Sequence, residues 1–116
     1  MSGPFDREEL MNRVDGDAEF LAETVAILDE DSPSMLDELR AAAAAGDAER
    51  LAMAAHAFKG MAANFCAEAV AATALRLEAM GRDGNVADAE ATVATLVEEA
   101  AQLSHALHVL VESLQA

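Results

Sequence analysis

The chain has no tryptophan, no tyrosine, one cysteine, one lysine and two prolines in 116 residues. Each shortage excludes something. A single cysteine allows no internal disulfide, and Cys66 has no Cys-x-x-Cys partner, so its thiol reads as structural or incidental. Aromatic residues make up 3% of the chain and hydrophobic residues 53%, so the core must be built from Ala, Leu, Val and Met, a composition that suits closely packed helices. Seven basic residues stand against 22 acidic ones, a formal net charge of −15. A nucleic-acid backbone or an anionic membrane would repel such a chain, which sets both aside as partners. No uninterrupted apolar run approaches the ~20 residues of a membrane span. Met1 to Leu10 also lacks the basic and apolar regions of a signal peptide, and a cytoplasmic location is expected. Neither Gly-x-Gly-x-x-Gly nor Gly-x-x-x-x-Gly-Lys occurs, so no loop is present to cradle ATP phosphates.

What remains is helix. Glu8, Glu9, Leu10 and Val14 follow Pro4 and Asp6 as a short first helix ending near Gly16, with its acidic residues where they suit the helix dipole. Asp17 caps a long helix whose expected buried side is Phe20, Leu21, Thr24, Ile27, Leu28, Met35, Leu36 and Leu39. Pro33 removes a backbone donor within it, which predicts a bend or two abutting segments with Ser32 capping the second. Ala41 to Ala45 stops at Gly46, and Asp47 caps the next helix, which runs to about Asn64. After a turn over 65–67, a fourth helix points Val70, Thr73, Ala74 and Leu77 inward and breaks at Gly81-Arg82-Asp83-Gly84-Asn85. In the last helix Val86, Ala89, Val93, Leu96, Ala100, Leu103, Leu107, Leu110 and Leu114 keep an alternating three-four spacing throughout, which is bundle packing. The reading is one all-α domain over 1–116: an antiparallel up-down-up-down four-helix bundle with a short N-terminal helix as a lid.

The functional centre is the run His56-Ala57-Phe58-Lys59-Gly60. Leu51, Ala55, Phe58, Ala62 and Phe65 form one helical stripe that must face the core. Advancing roughly 100° per residue puts His56 about 140° from that stripe, Lys59 about 80° and Gly60 about 180°. His56 therefore points to solvent, among Ala52, Met53, Gly60 and Ala63, all small except the methionine. Glycine inside a helix costs about 1 kcal/mol relative to alanine, and access to the imidazole explains its presence at position 60. Lys59, the chain's only lysine, places a flexible hydrated ammonium one turn from the ring, suited to an oxyanion that arrives and leaves. The combination points to transient phosphoryl chemistry on His56.

This pattern resembles the histidine phosphotransfer (HPt) domain of bacterial multi-step phosphorelays. The resemblance rests on His56, Phe58, Lys59 and Gly60, the Phe5-Asp6 opening, Ser32-Pro33 in a long acidic helix, the Gly46-Asp47 turn, and Leu77-Glu78 on the following helix. It covers essentially the whole chain. A glycine is usual in the family where Cys66 stands, and a cysteine in a left-handed cap costs of order 1 kcal/mol, which leaves the shape of that turn open. The resemblance implies that His56 is the phosphoryl acceptor and that Glu78 orients its ring, with a solvated, idle Glu78 as the alternative. It implies receiver-domain aspartates of response regulators and a hybrid histidine kinase as partners, with Mg²⁺ supplied by the receiver and no cofactor held by this chain. Lys59 would stabilise the charge on the transferring phosphoryl oxygens.

Ala52, Met53, Gly60, Ala63 and Asn64 form the expected docking patch of a monomeric carrier, and no carboxylate lies between Leu51 and Ala67 to repel an acidic receiver site. His105 and His108 fall off the leucine stripe, and no Glu-x-x-His occurs, so a metal site there is disfavoured and both read as surface residues. The competing function is a non-catalytic interaction module, an acidic helical bundle in which His56 is passive.

Overall fold

The computed structural model describes residues 3–115; of the span 1–116 read as one domain, positions 1, 2 and 116 lie outside the described residues. Five helices follow one another: α1 (Arg7–Arg13), α2 (Ala18–Ala45), α3 (Ala48–Asn64), α4 (Glu68–Asp83) and α5 (Ala89–Gln115). Local chemistry sets their ends. Asp6, Asp17 and Asp47 each accept the backbone N–H three residues on, from Glu9, Phe20 and Arg50, at 3.0–3.1 Å, satisfying a donor that the first helical turn leaves free. Gly46 (φ 64°) and Gly84 (φ 71°) stop α2 and α4 in the left-handed conformation that costs glycine nothing.

The four long helices pack in a closed ring, α2 on α3, α3 on α4, α4 on α5 and α5 on α2, with short connections that alternate their direction. Leu21, Leu28, Leu39, Leu51, Phe58, Leu77, Leu96, Leu103 and Leu107 fill its centre, so the aromatic-poor composition gives a core of Leu, Ala and Val, while the expected methionines stay at its margin or on the surface among the described residues. Helix α1 closes one end. Its Leu10 and the flanking Phe5 and Val14 are buried, and the Asp6 N–H donates to the Cys66 carbonyl at 2.9 Å, tying the lid to the α3–α4 turn. On the outside, the Arg50 guanidinium grips both oxygens of Glu38 and links α3 to α2.

Four local expectations change. Pro33 does not split α2, which runs as one helix of 28 residues, and Ser32 caps no second segment. The ring of Pro33 lies on the exposed side while Leu28 and Leu39 are anchored in the core on either side of it, so packing holds the helix through the missing hydrogen bond. Phe20 and Ile27 are 51% and 59% exposed, and Val25 takes the buried place between Leu21 and Leu28. At about 1.5 Å per residue, the 17 residues of α3 are too short to cover all 28 of α2, which leaves that flank bare. Val86 precedes α5, which starts at Ala89.

Gly81 is the fourth. It lies inside α4, buried, and the helix continues to Asp83. A Cβ at position 81 would sit 2.6 Å from both the Ala48 carbonyl oxygen and the Ala52 nitrogen, and 2.8 Å from the Ala52 Cβ. This glycine is a point of close approach between α3 and α4. Gly60 is its opposite, for a Cβ there meets nothing within 4 Å. Gly81→Ala should therefore destabilise the protein by about 1–3 kcal/mol through overpacking against backbone, whereas Gly60→Ala should stabilise it by up to about 1 kcal/mol through helix propensity alone. Thermal and urea unfolding of the two variants checks both signs, and equal behaviour would contradict the contact at Gly81.

Candidate functional site

The α3 stripe of Leu51, Ala55, Phe58 and Ala62 is buried as its spacing requires, and this turns His56 outward with 64% of its side chain exposed. Lys59, on the flank toward α4, is 30% exposed. On α4, Val70, Ala74 and Leu77 enter the core, and Glu78 follows at the α3–α4 seam with only 3% of its side chain exposed. Glu78 is therefore not a solvated glutamate.

Three donors converge on this carboxylate. His56 Nδ1 lies 2.9 Å from Glu78 Oε2, and Lys59 Nζ donates to Oε1 at 2.6 Å. The Arg82 guanidinium donates through Nη2 to Oε2 from one turn further along α4. The Lys59 hydrogen bond is the main cause that brings the Glu78 carboxyl down to about 2, aided by His56 and the charge of Arg82 and opposed by burial. Glu78 is thus ionised, and an ionised carboxylate only accepts, so its hydrogen bond assigns the ring proton to Nδ1. Nε2 is left as the ring nitrogen without a partner in this cluster, on a side chain that is 64% exposed. Two cations thus meet on the one buried carboxylate in a chain whose formal net charge is −15.

Arg82 is the partner of Glu78 that a loop over 81–85 conceals in the sequence; its signal is the i, i+4 spacing from Glu78 in a helix that continues to Asp83. It shares an open depression with Glu49, Ala52, Met53 and His56. Of the expected docking residues, Met53 is 69% exposed, and Gly60, Ala63 and Asn64 are exposed along the same side of α3. Ala52 is half-buried, and its backbone nitrogen and Cβ are what Gly81 approaches, so its small size serves helix packing as well as any partner.

The turn after α3 keeps its left-handed geometry with a cysteine in it. Cys66 has φ 56°, while its own N–H reaches the Ala63 carbonyl at 3.1 Å and the Ala67 N–H reaches that of Ala62 at 3.1 Å. The side chain is buried, and burial pushes the thiol's pKa up, away from reactivity. His105 is exposed, and His108 Nε2 lies 2.6 Å from Asp29 Oδ2 across α2 and α5. Among the described residues no group of three or more His, Cys, Asp or Glu is placed to hold a metal ion, and no helix is long and apolar enough to cross a membrane.

The depressed Glu78 value has a consequence for stability. Because the folded-state pKa lies below the ordinary 4.5, the contribution of the ionised carboxylate is complete above about 4.5 and is lost as pH falls through about 2. The stability difference between wild type and Glu78→Gln, followed by urea unfolding, should be flat above about pH 5 and should shrink steadily below it. Carbon NMR of the side-chain carboxyl should show Glu78 still ionised at about pH 3; a midpoint near 4.5 would contradict the three-donor arrangement.

Three comparisons with known proteins bear on this geometry. A family model described as the Hpt domain matches residues 23–110, a span that holds His56, Lys59, Glu78 and Arg82. No curated protein sequence matches the chain. Among solved structures, the chain is similar to the crystal structure of histidine-containing phosphotransfer protein B (HptB) from Pseudomonas aeruginosa, with a TM-score of 0.89 and 26% sequence identity over 97% of this chain and 98% of that one. With most of its length matched by the family model and its whole helical order shared with a phosphotransfer protein, the chain belongs to the Hpt domain family, the phosphoryl carriers of phosphorelays.

Proposed function

We propose that His56 accepts a phosphoryl group from the aspartyl phosphate of one receiver domain and passes it to the aspartate of another. The observation that carries this reading is the 2.9 Å contact of His56 Nδ1 with an ionised, buried carboxylate, which keeps the proton on Nδ1 and the Nε2 lone pair toward solvent. In the forward step Nε2 attacks phosphorus, a P–N bond forms, and the acyl P–O bond breaks with its electron pair leaving on the receiver's carboxylate. The ring gains positive charge as the phosphoryl group arrives, and Glu78 stabilises that charge through Nδ1–H. Transfer onward reverses these bonds at the second receiver.

Lys59 supplies charge to the phosphoryl oxygens, which its long stem allows it to reach from Glu78. The receiver brings Mg²⁺, and this chain contributes no nucleotide site. Hpt domains generally partner with receiver domains; here the docking face is Met53, Gly60, Ala63 and Asn64, with Ala52 at its edge. A hybrid histidine kinase stands upstream, and the carrier works as a cytoplasmic monomer, with 1–116 as its phosphotransfer domain. The organised His56–Glu78–Lys59 cluster favours chemistry over the passive interaction module.

Incubation with a phosphorylated receiver should place acid-labile phosphate on the wild type and none on His56→Gln, and ATP alone should place none on either. Labelled His56→Gln would overturn the assignment. Lys59→Ala should fold normally and transfer about ten- to a hundredfold more slowly, a loss of about 1.5–3 kcal/mol. Gly60→Gln should block receiver docking without loss of stability, since the space it fills lies outside the core.

A further inference from the structure

We infer that Arg82 is a positioning residue that frees Lys59 for the phosphoryl group by remaining on Glu78 as its counter-charge. The inference rests on the phosphoacceptor reading of His56 and adds to it a division of labour between two cations. Glu78 is 3% exposed, and a carboxylate that far out of water has to keep an opposite charge or strong donors. It has two cations where neutrality needs one, and they do not sit on equivalent oxygens. Lys59 stands alone on Oε1, while Arg82 shares Oε2 with His56 Nδ1. Departure of Lys59 therefore vacates one oxygen and leaves intact both the neutralised carboxylate and the hydrogen bond that orients the ring.

The two side chains suit these parts. Lys59 is a point charge on a flexible stem that can swing toward Nε2 once a phosphoryl group is bonded there, whereas the planar guanidinium of Arg82 holds a carboxylate in a defined direction. Arg82 is also fixed by its place, one turn from Glu78 on the same helix, so the pair needs no movement of α3 against α4. With 67% of its side chain exposed, Arg82 is not part of the core, and its replacement leaves the bundle packing untouched. Without it, Lys59 would be the only remaining cation for a buried anion and would be retained on Oε1.

The test uses the full chain and exploits Lys59 as its only lysine, so that lysine-specific nitrogen labelling yields a single ammonium signal. Phosphoramidate and a phosphorylated receiver serve as the two phosphodonors. The wild-type Lys59 signal should move when His56 becomes phosphorylated, and Arg82→Gln should leave it where it was while transfer slows by about tenfold or more. Arg82→Lys should retain most of the rate. In a Glu78→Gln background, where the amide needs no counter-charge, Arg82→Gln should change transfer less than about twofold. The inference is overturned if Arg82→Gln transfers at the wild-type rate with an unchanged lysine response. It is equally overturned if Arg82→Gln is as damaging in the Glu78→Gln background as in the wild type, for Arg82 would then act on the phosphoryl group or the partner directly. A wild type that neither donor labels on His56 overturns the phosphoacceptor reading and this inference together.

Discussion

A carboxylate taken almost wholly out of water at the seam of two helices is the constraint on which this site depends. Glu78 is held there by donors from both sides of the seam, His56 and Lys59 on α3 and Arg82 on its own helix. The seam has to be narrow for a short acidic side chain to reach an imidazole on the next helix. Gly81, whose missing side chain lets α4 rest against the backbone of Ala48 and Ala52, makes it so. The geometry of the site thus begins with a packing feature one turn along α4 from Glu78.

Charge is distributed with the same economy. A chain of formal net charge −15 would repel a phosphorylated partner if its carboxylates were spread evenly. Instead none occurs between Leu51 and Ala67, and the buried carboxylate of Glu78 is outnumbered by the two cations that pair with it. The face around His56 offers Met53, Gly60 and Ala63 with little side-chain volume between them.

The end of α3 shows how strongly tertiary contacts can override a local cost. Cys66 adopts a left-handed conformation in which a Cβ is unfavourable, yet the turn closes with both capping hydrogen bonds, and the Cys66 carbonyl is the acceptor that anchors α1. Burial of the cysteine side chain and of Phe5, Leu10 and Val14 around the same end offsets that local expense. The lid and the turn hold one another in place, which fixes the end of the helix that presents His56.

Periodicity alone determined the helices, their order, the outward direction of His56 and the inward direction of α4's apolar residues, because a strict three-four spacing over several turns admits only one buried face. The caps Asp17 and Asp47 are legible for the same local reason: each side chain satisfies a backbone donor three residues away, with no help from the rest of the fold. The sequence turns Phe20 and Ile27 inward, but burial depends on whether a neighbouring helix reaches that far, and α3 does not. A glycine that ends a helix and a glycine that lets two helices touch look alike in one dimension, so the sequence presents Gly81 as a break and Arg82 as part of a loop. That Glu78 is buried, ionised and shared by three donors from two helices was decided only when α3 and α4 met, since neither helix carries in its own sequence the distance to the other.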